Sequence, residues 1–307
     1  MRRRAVNSMI GRMRLSTVIL PIYRWSEGRE VWKRAEELGF HAAYTYDHLS
    51  WRSFRDYPWF GALPTLTAAA VATERLRIGT LVTSPNFREP VVLAKDLMSL
   101  DDISGGRLTV GLGAGGTGFD ATALREVAWS PGERADRFGE FVGLLDELLT
   151  HEATTEDGRF YAAHDVRMIP GCTQQPRAPF FIAATGPRGM RLTAEHGQGW
   201  ITYGDSRAPM DVAVRDCPGV VAAQIAKLSK ACVESGRSAD GLEKLLLHGS
   251  TQERPLDSLD AFVDYAGRYQ ELGMTEIVLH WPVQDSIYES DPAVFERIAL
   301  EGMAQLA

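Results

Sequence analysis

The chain has 307 residues, of which 45% are apolar, and its formal net charge is −7. This composition is typical of a globular protein with a large core, and the mild acidity argues against a nucleic-acid-binding protein, which needs a basic face. No segment approaches about 18 uninterrupted apolar residues, so we expect no membrane span. The three cysteines, Cys172, Cys217 and Cys232, have no CxxC spacing, which favours reduced thiols and a cytoplasmic protein.

The chain begins with the basic stretch MRRRAVNSMIGRMR. It lacks the apolar segment of a signal peptide. We therefore interpret residues 1–13 as a disordered extension, or as upstream sequence before a start at Met9 or Met13. Residues 14–307 are predicted to form a single domain.

Short apolar or β-branched runs alternate with longer segments of helical periodicity along the rest of the chain. Strands are predicted over residues 14–22, 41–49, 75–85, 107–116, 178–184, 199–204, 243–250 and 274–282. Helices are predicted after them, over residues 28–40, 59–74, 90–104, 133–149, 187–196, 219–236, 258–273 and 291–306. Gly39 suits the end of the first helix, and Pro90 suits the first turn of the third.

An irregular stretch, residues 151–178, interrupts this alternation, and the pair Asp157-Gly158 within it predicts the turn of a β-hairpin. Eight strand–helix pairs with one insertion predict an α/β fold of the (β/α)8 TIM-barrel type. An open sheet of six pairs would leave two pairs unexplained. In such a barrel the carboxyl ends of the strands carry the chemistry and the amino ends carry stabilising contacts.

The second predicted strand ends in YTYDHLSWRS, which places Asp47, His48 and Trp51 at the catalytic end of the barrel. His48 is predicted to be catalytic because an imidazole exchanges protons near neutral pH. Successive side chains of a strand point to opposite sides, so Asp47 need not bond to His48 although the two are adjacent. A capping aspartate beside a half-buried histidine is the structural alternative.

Three stretches together resemble the bacterial luciferase-like superfamily of flavin- and deazaflavin-dependent oxidoreductases: AEELGFHAAYTYDHL (35–49), GTLVTSPNFREPVVLAKDLMSLDDISGGRLTVGLGAGG (79–116) and IAATGPRGMRLTAEHGQGW (182–200). The resemblance implies a (β/α)8 barrel that binds FMN or the deazaflavin coenzyme F420 in its mouth. It also implies a homodimer packed through helices near the second and third strands. The apolar segment PWFGALPTLTAAAVA is compatible with such an interface, and equally with a helix buried within one chain.

The resemblance places the cofactor phosphate on the turn AATGPRG, at Thr185, Gly186, Pro187 and Arg188. The residue types agree with this role, because free N–H groups at a helix start attract an anion and an arginine adds a charge-assisted hydrogen bond. An ordinary strand–helix turn is the alternative interpretation.

Related proteins often have a non-proline cis peptide at the end of the third strand, which would fall at Leu81–Val82 and support the face of the cofactor ring. Thr83 and Ser84 follow it and would offer hydroxyl groups to the polar edge of the ring. Termination of the strand before Pro85 would explain the same residues without a cofactor.

The glycine-rich string GLGAGG differs from the dinucleotide-binding pattern GxGxxG, and no ribose-binding acid follows it. We predict instead that Gly113, Ala114 and Gly115 form a wall that lets a flat ring lie close to the fourth strand. The string SGGR, which ends at Arg107, falls at the amino end of that strand. We therefore predict a structural role for Arg107.

In deazaflavin enzymes of this type an Asp-His pair lies against the cofactor and a nearby tryptophan lines the pocket. The resemblance assigns these positions to Asp47, His48 and Trp51. His248 and His280 end the seventh and eighth predicted strands and are candidates to reach the substrate pocket.

The chain departs from the family at one position. Some deazaflavin-dependent dehydrogenases carry a glutamate, acting as general acid, just after the glycine-rich turn, where this chain has Gly116. Asp120 is the candidate to reach the pocket from the same loop. The departure argues against a sugar-phosphate dehydrogenase.

The sequence thus predicts an oxidoreductase that uses reduced F420 or FMN to transfer a hydride to, or to mono-oxygenate, a small organic substrate. The Asp-His-Trp pattern favours the deazaflavin; with FMN, a two-component monooxygenase would receive reduced flavin from a separate reductase. A metal-dependent barrel hydrolase is less compatible, since HxH and HExxH motifs are absent from the sequence, and we predict no metal. A cofactor-binding relative without turnover is the second alternative.

Overall fold

Eight parallel strands close into a barrel in the computed structural model, which describes residues 13–124, 127–205, 211–249 and 251–306. The strands in chain order are β1 (Arg14–Val18), β2 (Ala42–Thr45), β3 (Arg77–Thr83), β4 (Leu108–Leu112), β5 (Ala153–Asp157), β6 (Ala162–Arg167), β7 (Phe180–Ala183), β8 (Gly199–Thr202), β9 (Glu243–Leu247) and β10 (Glu276–His280). The barrel order is β1-β10-β9-β8-β7-β4-β3-β2, and β5 and β6 form a separate antiparallel pair.

A helix follows every barrel strand. The helices of the described residues are α1 (Trp25–Glu37), α2 (Ala62–Ala72), α3 (Pro90–Ile103), α4 (Phe119–Ala123), α5 (Pro131–Thr150), α6 (Pro187–His196), α7 (Cys217–Glu234), α8 (Leu259–Glu271) and α9 (Pro292–Glu301). Pro90 occupies the first turn of α3, as predicted. The predicted (β/α)8 barrel is confirmed.

Local signals explain where several elements begin and end. Ser130 and Glu133 form a reciprocal capping box at the start of α5. The predicted hairpin is present, but its two strands are joined by the four residues 158–161 rather than by a two-residue turn. The short helix α4 was not predicted, and it follows the glycine-rich loop that sequence analysis assigned partly to the fourth strand.

The amino-terminal boundary of the barrel lies slightly earlier than predicted. Met13 is only 2% exposed and belongs to the main core, next to β1. The rest of the predicted extension, residues 1–12, lies outside the described residues, and so does residue 307. No helix in the described ranges has the length and apolar character needed to cross a bilayer.

Arg107 stabilises the amino-terminal face of the barrel, as its position predicted. Its guanidinium donates to the carbonyl oxygens of Ser104, Leu76 and Ala70 at 2.6, 2.9 and 2.7 Å. It therefore ties the end of α3 to the end of α2 and the start of β3. The guanidinium thus satisfies carbonyl groups near the ends of α2 and α3. It lies on the face of the barrel opposite the carboxyl ends of the strands.

A buried polar cluster occupies the floor of the barrel, at the amino ends of β1 and β10. Glu276 accepts a hydrogen bond from the Tyr44 hydroxyl at 3.0 Å, and the Arg14 guanidinium lies 3.6 Å from its carboxylate. Burial raises the pKa of Glu276. These side chains fill the floor of the barrel with hydrogen-bonded groups.

Candidate active site

Asp47 lies just beyond the carboxyl end of β2 and is 1% exposed. Arg88 donates to it twice, from Nε at 2.9 Å and from Nη2 at 2.6 Å, and the Thr83 hydroxyl donates at 2.5 Å. Both carboxylate oxygens therefore have partners, and the buried charge is balanced by a guanidinium. Asp47, predicted to be catalytic, is held by its neighbours from β3 and the loop after it.

His48 has a different partner from Asp47, and both residues lie beyond the last residue of β2, Thr45. Its Nδ1 atom is hydrogen-bonded to the Asp120 carboxylate. Its ring stacks on Trp51, with centroids 4.5 Å apart and planes at 28°. Its carbonyl oxygen accepts a hydrogen bond from Trp59 Nε1 at 2.7 Å. The imidazole is thus fixed from its edge, its face and its backbone.

Asp120, predicted to line the substrate pocket, is 5% exposed and faces the β2 loop. Besides its contact with His48, it accepts the backbone N–H of Leu49 at 2.9 Å and that of Ser50 at 3.4 Å. The carboxylate therefore contacts His48 rather than presenting a free oxygen at the position of the missing glutamate.

A chain of aromatic contacts links this histidine to the carboxyl end of β10. Trp51 Nε1 donates to the Tyr288 hydroxyl at 3.2 Å, and the Tyr288 ring stacks on His280 at 4.0 Å between centroids. His280 Nε2 lies 2.7 Å from the Tyr46 hydroxyl. Tyr46 and Tyr288 carry no motif that sequence analysis recognises, because only the closed barrel brings them to His280.

The two histidines at the ends of β9 and β10 are neutral near pH 7. Burial lowers the pKa of His280 to about 3, with a smaller contribution from His248. Burial lowers the pKa of His248 to about 4. Burial also raises the pKa of Tyr46 well above 10. His248, His280 and Tyr46 therefore present uncharged, hydrogen-bonding groups at the carboxyl face.

Both histidines reach a cavity of about 440 Å³ at this end of the barrel. The cavity is lined by His248, Gly249, Thr251, Gln252, Glu253, Arg254, Leu256, Asp257, His280, Ile287, Tyr288 and Glu289. A volume of this size accommodates a small organic molecule. Since Tyr288 also contacts Trp51, the cavity adjoins the aromatic contacts that lead to His48.

The peptide bond between Leu81 and Val82 is cis, at the position predicted. The β4 side of the same wall has no room for larger side chains. A Cβ at Gly111 would lie 2.1 Å from the Thr80 oxygen, and one at Gly113 would lie 2.6 Å from the Val82 side chain. Glycine at these positions keeps β3 and β4 in close contact and leaves a surface of backbone and small groups.

The remaining residues that were predicted to contact the cofactor ring have different surroundings. Gly115 has φ +73°, and a Cβ there would meet the Asn86 side chain at 2.7 Å, so glycine is required for the path of this loop. Ala114 packs at the edge of the main core. Thr83 donates its hydroxyl to Asp47, and Ser84 is buried. The Thr83 hydroxyl proton is thus used by Asp47, and the contact of Thr83 and Ser84 with a ring edge stays a prediction.

The predicted phosphate-binding turn opens α6 as expected. Gly186 is the residue before the helix, and Pro187 occupies its first turn. A Cβ at Gly186 would meet no atom within 4 Å, so the turn is open beside the residue that precedes the helix. Thr185 precedes it. Arg188 is paired with Asp136 at 2.8 Å and also donates to the Gly132 carbonyl at 3.2 Å.

The described residues contain no group of three or more His, Cys, Asp and Glu side chains arranged to hold an ion. His48 and His280 bond to Asp120 and Tyr46 instead. The site consists of a clamped imidazole, a neutralised carboxylate and an aromatic surface beside a cavity.

A parallel barrel with an imidazole, a tryptophan and a cavity at its carboxyl face has the architecture of a barrel enzyme. The chain belongs to the luciferase-like monooxygenase family, whose sequence profile matches residues 12–243. The predicted family resemblance is confirmed.

Two relatives are described as F420-dependent dehydrogenases. The F420-dependent glucose-6-phosphate dehydrogenase of Beutenbergia cavernae is 36% identical over 177 residues, 56% of this chain and 51% of the relative. The F420-dependent hydroxymycolic acid dehydrogenase of Mycobacterium tuberculosis is 31% identical over 170 residues, 54% of this chain and 46% of the relative. The chain spans about half the length of these relatives.

Solved structures share the fold over nearly the whole chain. An F420-dependent secondary alcohol dehydrogenase, solved with an F420-acetone adduct, has a TM-score of 0.76 at 17% identity, covering 97% of this chain and 98% of the other. Monooxygenase RslO1 from Streptomyces bottropensis has a TM-score of 0.76 at 21% identity, covering 96% of this chain and 100% of the other. At these identities the likeness establishes the barrel fold.

Proposed function

We propose that this protein is a deazaflavin-dependent oxidoreductase that transfers a hydride between coenzyme F420 and a small organic substrate. The observation that carries the proposal is His48, clamped by Asp120 and Trp51 at the carboxyl face of the barrel. The F420 dependence of the two curated relatives supports the choice of cofactor. The likeness to them covers 56% and 54% of this chain.

The proposed cofactor site fits the residues around the mouth of the barrel. The ring would lie against the wall formed by β3 and β4, at Leu81, Val82 and Gly113, where the glycine packs closely against the Val82 side chain. The polar edge of the ring would lie toward Ser84, Ala114 and Gly115. The phosphate would lie on the open turn before α6, at residues 185–188, with Arg188 shared between it and Asp136.

When bound, the deazaflavin supplies a carbon that accepts or donates a hydride. His48 exchanges the proton of the substrate oxygen, using Nε2, because Nδ1 is occupied by Asp120. Trp51 lines the pocket beside it. Asp47 orients Arg88 and Thr83 rather than moving a proton itself.

The substrate enters the cavity between the loops that follow β9 and β10, where His248 and His280 present neutral hydrogen-bonding groups. Asp120 does not take the place of the glutamate missing at Gly116, since its oxygens are engaged by the β2 loop. The absence of this general acid argues against a sugar-phosphate substrate.

We further propose a homodimer and a reducing compartment. Val71 on α2 and Val92 on α3 are 76% and 61% exposed, which suits a partner subunit on this face. The three cysteines are buried free thiols, as expected of a cytoplasmic protein. Light scattering of the purified protein would give the mass of the dimer or of the single chain.

Cofactor titration tests the proposed function. Purified protein is titrated separately with F420 and with FMN, oxidised and reduced, and binding is followed by quenching of its seven tryptophans. We expect micromolar binding of F420 and no saturable binding of FMN. His48→Ala should abolish hydride transfer and retain F420 binding, whereas His164→Ala, on the exposed hairpin, should change neither.

Two outcomes would contradict this proposal. Preference for FMN would indicate a two-component monooxygenase served by a separate reductase. Failure to bind either cofactor would leave the barrel without the function proposed here.

A further inference from the structure

We propose that Asp120 is a positioning residue that holds His48 in the tautomer protonated on Nδ1, leaving Nε2 to exchange protons with the substrate. The inference rests on the proposed function for its consequence in turnover. The tautomer itself depends only on the contact between Asp120 and His48 within this chain.

The contacts of Asp120 serve the ring and the backbone that carries it. One carboxylate oxygen bonds to His48 Nδ1, and the other accepts the Leu49 N–H at 2.9 Å. Asp120 lies on α4, whereas His48 follows β2, so the contact joins the loops of two different strands. A carboxylate accepts and does not donate when ionised, so the proton of this hydrogen bond belongs to Nδ1.

The rest of the surroundings hold the ring in the orientation that keeps Nδ1 on Asp120. Trp51 covers one face at 4.5 Å, and the Tyr46 ring meets it edge-on at 5.9 Å. The Trp59 indole fixes the His48 carbonyl. A half-turn of the imidazole would break the bond to Asp120, and the tautomer is therefore selected by the fold.

The charges around the ring make Asp120 the carboxylate that acts on it. Asp47 is neutralised by Arg88. In the described part of the chain, Asp120 forms no ion pair with an arginine or lysine; its ionic partner is His48. The Arg52 guanidinium lies 4.5 Å from the centre of the Trp51 ring. It therefore contacts the tryptophan that stacks on His48 and not the imidazole itself.

The proposed step is balanced in atoms and electrons. The O–H bond of the substrate breaks and its proton goes to His48 Nε2. With oxidised deazaflavin bound as the electron acceptor, the electron pair of the adjacent C–H bond would leave as a hydride while a C=O bond forms. The resulting imidazolium is stabilised by the Asp120 carboxylate.

Nitrogen NMR of the histidine side chains tests the tautomer without any substrate. ¹⁵N-labelled protein is recorded above the pH at which the ring titrates, and His48 is assigned by its loss in His48→Gln. We expect protonated Nδ1 and unprotonated Nε2 in the wild type. Asp120→Asn, whose amide can donate to Nδ1, should move the proton to Nε2, and Asp165→Asn on the hairpin should leave the signals unchanged.

The same variants separate positioning from a simple structural bond. Asp120→Asn should lower kcat for F420-linked turnover about 100-fold or more, the usual effect of disabling a general acid–base group. Its affinity for F420 should change less than about 3-fold, which is within the variation of an intact site. Asp120→Glu keeps the charge and should recover part of kcat. This variant tests the role of the carboxylate even if Asp120→Asn disturbs folding.

A wild-type His48 protonated on Nε2, or Asp120→Asn spectra identical to the wild type, would overturn the inference. So would an unchanged kcat in Asp120→Asn. Absence of F420 turnover by the wild type, with the expected tautomer present, would instead refute the proposed function.

Discussion

The Tyr46 hydroxyl and His280 Nε2 lie 2.7 Å apart, joining the end of β2 to the end of β10 over the intervening strand β1. Both groups are buried, and His280 is neutral because burial lowers its pKa to about 3. Tyr46→Phe should therefore lower the free energy of unfolding by about 1–3 kcal/mol, since it leaves a buried ring nitrogen without its partner. Urea denaturation would measure the change, and exposed Tyr57→Phe should leave stability within about 0.5 kcal/mol. Equal stability of both variants would contradict the expectation.

Arg88 compensates the buried Asp47 carboxylate through two hydrogen bonds. Arg88→Ala would leave that charge with the Thr83 hydroxyl, and we expect a loss of about 3–5 kcal/mol in the free energy of unfolding. Arg88→Lys keeps the charge and loses the two-pronged geometry, so its loss should be smaller. Denaturation curves of the two variants provide the measurement. A stability of Arg88→Ala close to that of the wild type would contradict this expectation.

Gly111 lies where β3 and β4 approach most closely, because its Cβ would be 2.1 Å from the Thr80 oxygen. Gly111→Ala should destabilise the barrel by at least about 1–3 kcal/mol, as expected for overpacking against backbone. Gly139 is the matched control, since it lies within α5 and its added Cβ meets nothing within 4 Å. Gly139→Ala should raise stability by about 0.5–1 kcal/mol. Thermal and urea unfolding of the two variants would show whether Gly111→Ala lowers the free energy of unfolding while Gly139→Ala raises it.

The neutral histidines make stability depend on pH. The pKa of His248 falls from 6.5 to about 4 on folding and that of His280 to about 3, so the unfolded chain binds more protons below pH 6.5. Their contribution is fully present above pH 6.5 and is lost as the pH falls toward the folded values, at up to about 1.4 kcal/mol per pH unit for each group. His248→Gln should reduce the slope of unfolding free energy between pH 6.5 and 4.5. The exposed control His164→Gln should keep the wild-type slope.

Much of the barrel could be predicted because the apolar residues of each strand and each helix recur with the period of that element. The cis peptide at Leu81–Val82 and the structural role of Arg107 were also predicted correctly, the first by family resemblance and the second by position on the amino-terminal face. The separate partners of Asp47 and His48 agree with the prediction that neighbours in sequence need not bond to each other.

The side-chain partners could not be predicted in the same way. Arg88 meets Asp47, and Asp120 meets His48, across separations of 41 and 72 residues along the chain. Such contacts depend on the path of loops after different strands, which local periodicity does not describe. The short helix that carries Asp120 has only five residues, too few to show an apolar stripe.

The polar floor around Glu276 gives the barrel the form of a cup rather than a tube. Arg14 and Tyr44 close its lower end with hydrogen-bonded side chains. Molecules therefore reach the site over the opposite rim, which is formed by the loops that follow the strands.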